Sequence, residues 1–553
     1  MGSQSRPLAD HSPDIWRDKF TSIPRDIELW EAYSKERDVL KNEVRSMLVS
    51  AGGEWTDKLV LINTIERLGV GYHFAEYIED MLAEMHRVHA KLESYEKYDL
   101  FTTALYFRIL RQHGYKVTSE IFQKYKEIDG KFSEAITRDP LALLSLYEAA
   151  HLRTHGEDSL DEALAFTTYH LKSIAKSLDS GSLARLVRRA LEQPLHKGIQ
   201  RMEAKHFILY YEESPSRNDA LLKFAKLDFN LLQMLYKQEL SQVKRWWAAM
   251  EIDSKFPHFR SRVVEGYFWA LGTSSEPCYA LGRIMYTKVL CVVSVTDDLY
   301  DSYGTADELN THTKAIQRLD IENIDGLPDH SKFCYINLQN VLSEYEEDLV
   351  KQGSYNDVNC LKKAFQALIL AYQQEAIWCN KKYVPHFKEY IINGMATAAL
   401  CILGVSMILG MGHVDTTQAC NWATNKPEAV VAADKMARII SDIVGYEREH
   451  ITRPHAATSI DCYMKEYGVS KEEATTKLYE LIEDTWKDMN EECLNPTKVA
   501  RHHITVYLNL MRMCHVIYDK DSDGYTYPEV HLKDDINLLL SIPSQYELSY
   551  ITH

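Results

Sequence analysis

Apolar residues recur at spacings of three and four over residues 25–50, 57–88, 98–113, 118–128 and 140–153. Gly, Pro, Asp and Asn signals separate these stretches. A period near 3.6 places such residues on one face of an amphipathic helix. Ala220 to Gln242 predicts another long helix. No convincing run of alternating polar and apolar residues occurs, and no short-period repeat is found. The pattern predicts an all-α protein. The most apolar stretch, Ala396 to Met411, has 16 residues and contains Gly404. It is short for a membrane span and is expected to be a buried helix.

A polar stretch at Glu212–Asn218, containing Pro215, precedes the strong helix at Ala220. It predicts two helical domains, residues 1–217 and 218–553. Breaks at Gly304-Thr305, Gly353-Ser354, Gly412-His413 and Gly524 divide the second into long helices. A chain of 553 residues needs more than one core in any case.

The net charge of −17 offers no long basic face and argues against nucleic acid as a partner. An anionic substrate must therefore be held by local cations. Ten cysteines without a CxxC pair fit a reducing compartment. The opening Met-Gly-Ser-Gln-Ser-Arg-Pro carries no apolar or Ser/Arg-rich leader. The expectation is a cytoplasmic protein with no membrane attachment.

Asp297-Asp298-Leu299-Tyr300-Asp301 follows the apolar run Val289–Val295. On a helix, Asp297 and Asp301 share a face. Carboxylates at the end of a buried helix are costly unless a cation binds them, and Mg2+ bridges such ligands to phosphates. Ser441, Gly445 and Glu449 form a second stripe, with Arg438 one turn earlier and Asp442 on a neighbouring face. Arg260-Ser261-Arg262 offers two guanidinium groups suited to phosphate oxygens. Taken singly, each also reads as a solvated surface.

In their order and spacing these segments resemble the plant class I terpene synthases, particularly angiosperm sesquiterpene synthases. Arg6-Pro7 with Trp16 is similar to RPx8W, and Arg67-Leu68-Gly69 through Phe74 to RLGxxYHF. Arg260 to Arg262 sits at RxR, Asp297 to Asp301 at DDxxD, and Ser441 to Glu449 at the NSE/DTE motif. The resemblance implies a catalytic C-terminal helical bundle and a non-catalytic N-terminal helical, double-barrel-like domain. The N-terminal strand would cap the active site. It implies a monomer with three Mg2+ ions, Mn2+ being a substitute. The ions would be bound by Asp297, Asp298, Asp301, Ser441, Asp442, Gly445 and Glu449. Arg260, Arg262 and Arg438 would grip the diphosphate of a prenyl substrate, farnesyl diphosphate. Trp269, Tyr518, Asp523 and Tyr525 complete the implied catalytic set, and Thr397 and Leu400 line the substrate pocket with Ala398 and Ala399.

The chain departs from the family pattern at Ser441, where Asn or Asp is usual, and at Gly445, where Ser or Thr is usual. Both changes weaken the donor set and predict a raised Mg2+ demand. Ser261, Leu299 and Arg17 are smaller departures. Asp519 to Gly524 resembles the start of an EF-hand, but Val530 stands where its last ligand belongs. His151 and His155 lack a third zinc ligand. No Walker loop or DxDD string is present. A chain-elongating prenyltransferase, which would need a second DDxxD, and a non-catalytic scaffold are the alternatives.

Overall fold

The computed structural model describes residues 11–23, 26–50, 54–88, 97–177, 181–318, 324–351, 358–412, 416–453, 455–519 and 521–545. Arg6, Pro7, Gly353, Ser354, His413 and Lys520 lie outside them. Among the described residues no strand forms, and Lys126 and Phe132 make one isolated bridge. The helices, in chain order, begin with α1 Ile27–Ser50, α2 Trp55–Arg67, α3 Ala75–Val88, α4 Leu100–Gln112 and α5 Pro140–Ala150. They continue as α6 Asp158–Ser177, α7 Ser182–Glu192, α8 Gln200–Glu212, α9 Asp219–Ala249, α10 Ile252–Lys255, α11 Val263–Thr273 and α12 Ala280–Asp298. Next come α13 Ala306–Arg318, α14 Asp329–Lys351, α15 Asn359–Asn380, α16 Phe387–Thr397, α17 Leu400–Gly410 and α18 Thr416–Thr424. The last are α19 Glu428–Thr452, α20 Ser459–Tyr467, α21 Lys471–Glu492, α22 Arg501–Ile517 and α23 Leu532–Leu540.

Two compact units result. One comprises Pro24–Leu235, Asn490–Thr497 and Asn537–His553; the other comprises Met1–Ile23, Tyr236–Met489 and Lys498–Ile536. This division departs from a cut at residue 217/218, for reasons visible inside each unit. Asp228, in the first half of α9, accepts hydrogen bonds from Tyr72 Oη at 2.6 Å and His73 Nε2 at 2.8 Å. Those contacts bind it to the earlier helices. Trp16 is fully buried and its Nε1 donates to Glu265 Oε1 at 2.9 Å. The Lys244 ammonium donates to the carbonyls of Trp16, Arg17 and Lys19. Residues 11–23 thus belong with the later helices.

The long pattern over 57–88 is divided between α2 and α3. Gly69 adopts a left-handed φ of 75°, and a Cβ there would lie 2.7 Å from the Ala204 Cβ. The 118–128 pattern yields only a short 3-10 segment, Ser119–Tyr125, opened by the Thr118 cap; Gly130 (φ 84°) then reverses the chain. The apolar stretch 396–411 is not one helix. Ala399 takes φ 62°, separating α16 from α17. By length and composition, Pro277–Tyr303 and Phe387–Gly410 are apolar enough to cross a membrane, but 72% and 67% of their most apolar windows are buried within the protein. They are core helices here.

Local chemistry sets the helix ends. Asp139 accepts from the backbone N–H groups of Leu141 and Ala142, with Pro140 at the first helical position of α5. Thr458 and Asp461 form a reciprocal capping box on α20, and Gly468 ends it in a left-handed conformation. A buried ion pair fixes the helices that carry the site. The Arg283 guanidinium of α12 donates to both oxygens of Glu239 on α9, at 2.8 and 2.7 Å, and to the carbonyls of Ser274 and Glu276. Tyr267 of α11 donates to the same Glu239. Every partner is satisfied, which is what makes such burial tolerable.

His312 on α13 is fully buried, and neither ring nitrogen has a hydrogen-bond partner. Burial, aided by His330, pushes its pKa down from 6.5 to about 3. The unfolded chain therefore takes up a proton between those values that the folded chain refuses. Stability is complete above about pH 6.5 and falls as pH drops toward 3, by up to about 5 kcal/mol. His312→Phe is expected to flatten this acid limb. Urea unfolding at pH 7 and pH 5 checks it, and an unchanged pH slope would refute the assignment.

Candidate active site

A cavity of about 350 Å³ opens among α11, α12, α15, α16, α17, α19 and α22. Seven carboxylates and four arginines line it, together with eight Trp and Tyr rings. One wall comes from α12. Its apolar run buries Val289 to Val295, and the helix ends at Asp298. A π-helical turn, Leu299–Tyr303, follows. Asp297 and Asp301 are therefore joined by irregular backbone and not by a regular α-turn. Their side chains are 26% and 25% exposed, open toward the cavity.

Asp298 has a different fate from its neighbours. It is 2% exposed, and its Oδ2 accepts the Arg260 backbone N–H at 2.7 Å. Its Oδ1 lies 2.7 Å from Arg260 Nε and 3.3 Å from His11 Nε2. Burial alone would raise its pKa; Arg260 and His11 outweigh burial and lower it. In the structure both oxygens face Arg260, so Asp298 serves there as its anchor. Arg260 also reaches Asp297 Oδ2 with Nη2, at 2.6 Å. Burial works against its charge, but Asp298 and Asp297 hold its pKa well above the usual value.

Arg262 is not brought to the cavity wall. Its guanidinium is buried and donates to the carbonyls of Tyr525, Thr526, Ser12 and Ser261, at 2.9, 2.8, 2.6 and 3.0 Å. These four bonds make Arg262 a clasp between the loop after α22 and residues 11–23. Arg17, by contrast, is 72% exposed, and its nearest carboxylate, Asp253, is 3.8 Å away.

The opposite wall is α19. Arg438, Ser441, Gly445 and Glu449 all line the cavity. The Ser441 hydroxyl accepts from Arg438 Nη2 at 3.0 Å and donates to the Arg438 carbonyl at 3.0 Å. Asp442 is buried; its Oδ2 accepts from Tyr390 Oη at 2.9 Å and the Ser459 N–H at 2.8 Å. Its Oδ1 lies 3.4 Å from Arg438 Nε. In the structure Asp442 therefore braces α16, α19 and α20. Arg438 stays fully charged, since Asp442, Tyr390 and Glu375 outweigh its burial.

Three contributors were not read from the sequence. Glu375 on α15 accepts from Thr397 Oγ1 at 2.7 Å and lies 3.7 Å from Arg438. Arg453 joins Asp301 and Glu449, at 2.7 and 2.6 Å. Arg448 stacks on the Tyr527 ring, 3.6 Å from its centroid. The i, i+4 spacing of Glu449 and Arg453 was a legible signal, and Glu375 gave none.

The remaining lining is largely apolar and aromatic. Trp269 of α11, Leu290 and Val293 of α12, Leu400 and Leu403 of α17, Tyr518 and Tyr525 form part of it. Thr397, Ala398 and Ala399 stand where α16 breaks. Tyr525 Oη and Ser294 Oγ are hydrogen-bonded at 2.5 Å. Asp523 Oδ1 accepts the N–H groups of Tyr525 and Thr526, fixing the turn that carries Tyr525.

Two family profiles match the chain. "Terpene synthase, N-terminal domain" covers residues 15–191, and "Terpene synthase family, metal binding domain" covers residues 248–488. A valerianol synthase of Camellia sinensis is 44% identical over 541 residues, 98% of this chain and 97% of the relative. A hedycaryol synthase of Camellia brevistyla is similar to the same extent. The structure is similar to isoprene synthase from leaves of grey poplar (Populus x canescens) in complex with three Mg2+ ions and dimethylallyl-S-thiolodiphosphate. The TM-score is 0.87 at 33% identity, covering 93% of this chain and 98% of that one.

Proposed function

This chain belongs to the terpene synthase family, and from that premise we propose that it is a sesquiterpene synthase. It ionises the allylic C–O bond of farnesyl diphosphate, releases diphosphate, closes the resulting cation, and quenches it by loss of a proton or by capture of water to give a neutral C15 product; Asp297, Asp301 and Glu449 would hold the Mg2+ that this needs. The single observation that carries this reading is one cavity lined both by facing carboxylates and arginines and by Trp and Tyr rings.

The donor set fits a hard divalent cation. Asp297, Asp301 and Glu449 offer carboxylate oxygens from two facing walls. Burial raises the Asp301 pKa, and Asp297, Glu375 and Glu449 push the same way against Arg453. The cavity lining thus carries more negative charge than its arginines neutralise, and a diphosphate would add more. Among the described residues no three such side chains already converge on one point. The ligands stand apart, with arginines between them. Bound Mg2+ would supply the charge that stabilises the departing diphosphate.

The chain's own residues do the rest. Arg260, held rigid by Asp298, and Arg438, held by Asp442 and Ser441, present guanidinium donors to phosphate oxygens. The Trp269, Tyr518 and Tyr525 rings offer π faces to a carbocation. The C-terminal end of α16 at Thr397 adds the negative end of a helix dipole. The Arg262 clasp on the Tyr525–Thr526 backbone holds the loop that excludes water.

Incubation with farnesyl diphosphate and Mg2+, followed by gas chromatography of the headspace, tests the proposal. A volatile C15 product is expected. Elongated diphosphates or recovered substrate would overturn it.

Gly445 tests the weakened wall. A Cβ there meets only Glu449 Cγ, at 3.8 Å, an ordinary contact. Gly445→Ser restores an oxygen donor and removes a helix-interior glycine costing up to about 1 kcal/mol. The expected result is a Mg2+ half-saturation several-fold lower, with unchanged or higher thermal stability. A Mg2+ titration of product formation reads it, and a higher half-saturation would refute the ligand role.

A further inference from the structure

Arg453 ties together the last residues of the two acidic motifs. Its Nη1 is 2.7 Å from Asp301 Oδ2, on the turn after α12. Its Nη2 and Nε are 2.6 and 2.9 Å from Glu449 Oε2, on α19. The two carboxylates come from facing walls, and the planar guanidinium fork spans them. Arg453 itself caps α19, with φ −135° and ψ 70°, and is 28% exposed. Arg260 differs: it is anchored from behind by the nearly inaccessible Asp298. Arg453 stands at the C-terminal end of α19, lines the cavity, and has no such buried carboxylate behind it among its ion pairs with Asp301 and Glu449.

A charged N–H and a divalent ion compete for the charge and orientation of the same carboxylate, and the two cations repel. We propose that Arg453 is a positioning residue: an internal counter-ion that holds Asp301 and Glu449 in the substrate-free enzyme, is displaced when divalent ions bind, and thereby sets metal affinity. The inference rests on the metal-dependent reading above. It also changes the account of the raised metal demand expected from Ser441 and Gly445, since a resident competitor adds to missing ligands.

The test is titration of Mn2+ into the substrate-free protein, with free Mn2+ read by electron paramagnetic resonance. Arg453→Gln removes the competing charge and keeps a polar side chain. It is expected to bind Mn2+ roughly tenfold tighter than wild type. Arg453→Lys keeps the charge but cannot fork onto both carboxylates. It is expected to fold even if the Gln variant does not, and to show a smaller gain. A merely structural arginine would, on removal, lower stability and leave binding equal or weaker. Equal or weaker Mn2+ binding in the folded variants therefore overturns the proposal. If no variant binds Mn2+, wild type included, the proposal and the metal-dependent reading fall together. Tighter binding without any C15 product from wild type supports the counter-ion role and defeats only the substrate assignment.

Discussion

Asp301→Asn is expected to lower turnover of farnesyl diphosphate by roughly three orders of magnitude while changing KM far less. The side chain keeps its shape and loses its charge. Asp301 lines the cavity with Asp297, Glu375 and Glu449, where arginines offset the carboxylates. A neutral amide there removes one arm of the cation-binding pair and leaves the aromatic lining intact. Ground-state binding of the hydrocarbon chain should survive, and stabilisation of the departing diphosphate should not. The variant should fold as well as wild type, because the amide has no burial penalty for charge. Steady-state kinetics and a thermal melt on the same preparation read both expectations. Turnover within tenfold of wild type would remove Asp301 from the ionisation step.

Asp301 also shows how far sequence reasoning reached. Three carboxylates after an apolar run announced a buried helix end that needs a cation, and α12 ends there. Residue type and spacing carried that inference. They did not distinguish Asp297 from Asp298, since both belong to the same short string. Only the packing of Arg260 and His11 against one of them separates ligand from anchor. The clasp made by Arg262 was illegible for a related reason. Three of its four hydrogen bonds go to carbonyls more than 200 positions away in sequence, those of Ser12, Tyr525 and Thr526. The break at Ala399 was illegible because alanine carries no turn signal. A left-handed alanine costs on the order of 1–2 kcal/mol and is imposed by tertiary contacts. Glu375 lies in Tyr-Gln-Gln-Glu, which reads as a solvated stripe until α16 and α19 pack over it. The helical content, in contrast, was legible along nearly the whole chain, because the 3.6 period is a local property.

Arg260→Ala is expected to damage folding and catalysis together, and the two losses can be separated. Asp298 is 2% exposed and depends on Arg260 for an ion pair at 2.7 Å. The Arg260 backbone N–H and His11 remain, but they do not neutralise a buried carboxylate as a guanidinium does. Breaking a buried pair from one side costs about 3–5 kcal/mol. The melting temperature should therefore fall by several degrees, and activity should fall further because the phosphate grip is gone. Adding Asp298→Asn removes the stranded charge. The double variant should regain most of the lost stability and none of the lost activity. Chemical unfolding and steady-state kinetics on the four proteins of this cycle give the coupling energy. Recovery of activity with stability would mean that Arg260 serves only to neutralise Asp298. Stability unchanged in Arg260→Ala would mean that His11 and the backbone already satisfy the aspartate. Recovered stability without activity leaves one assignment: Asp298 exists to aim Arg260, and Arg260 acts on the substrate.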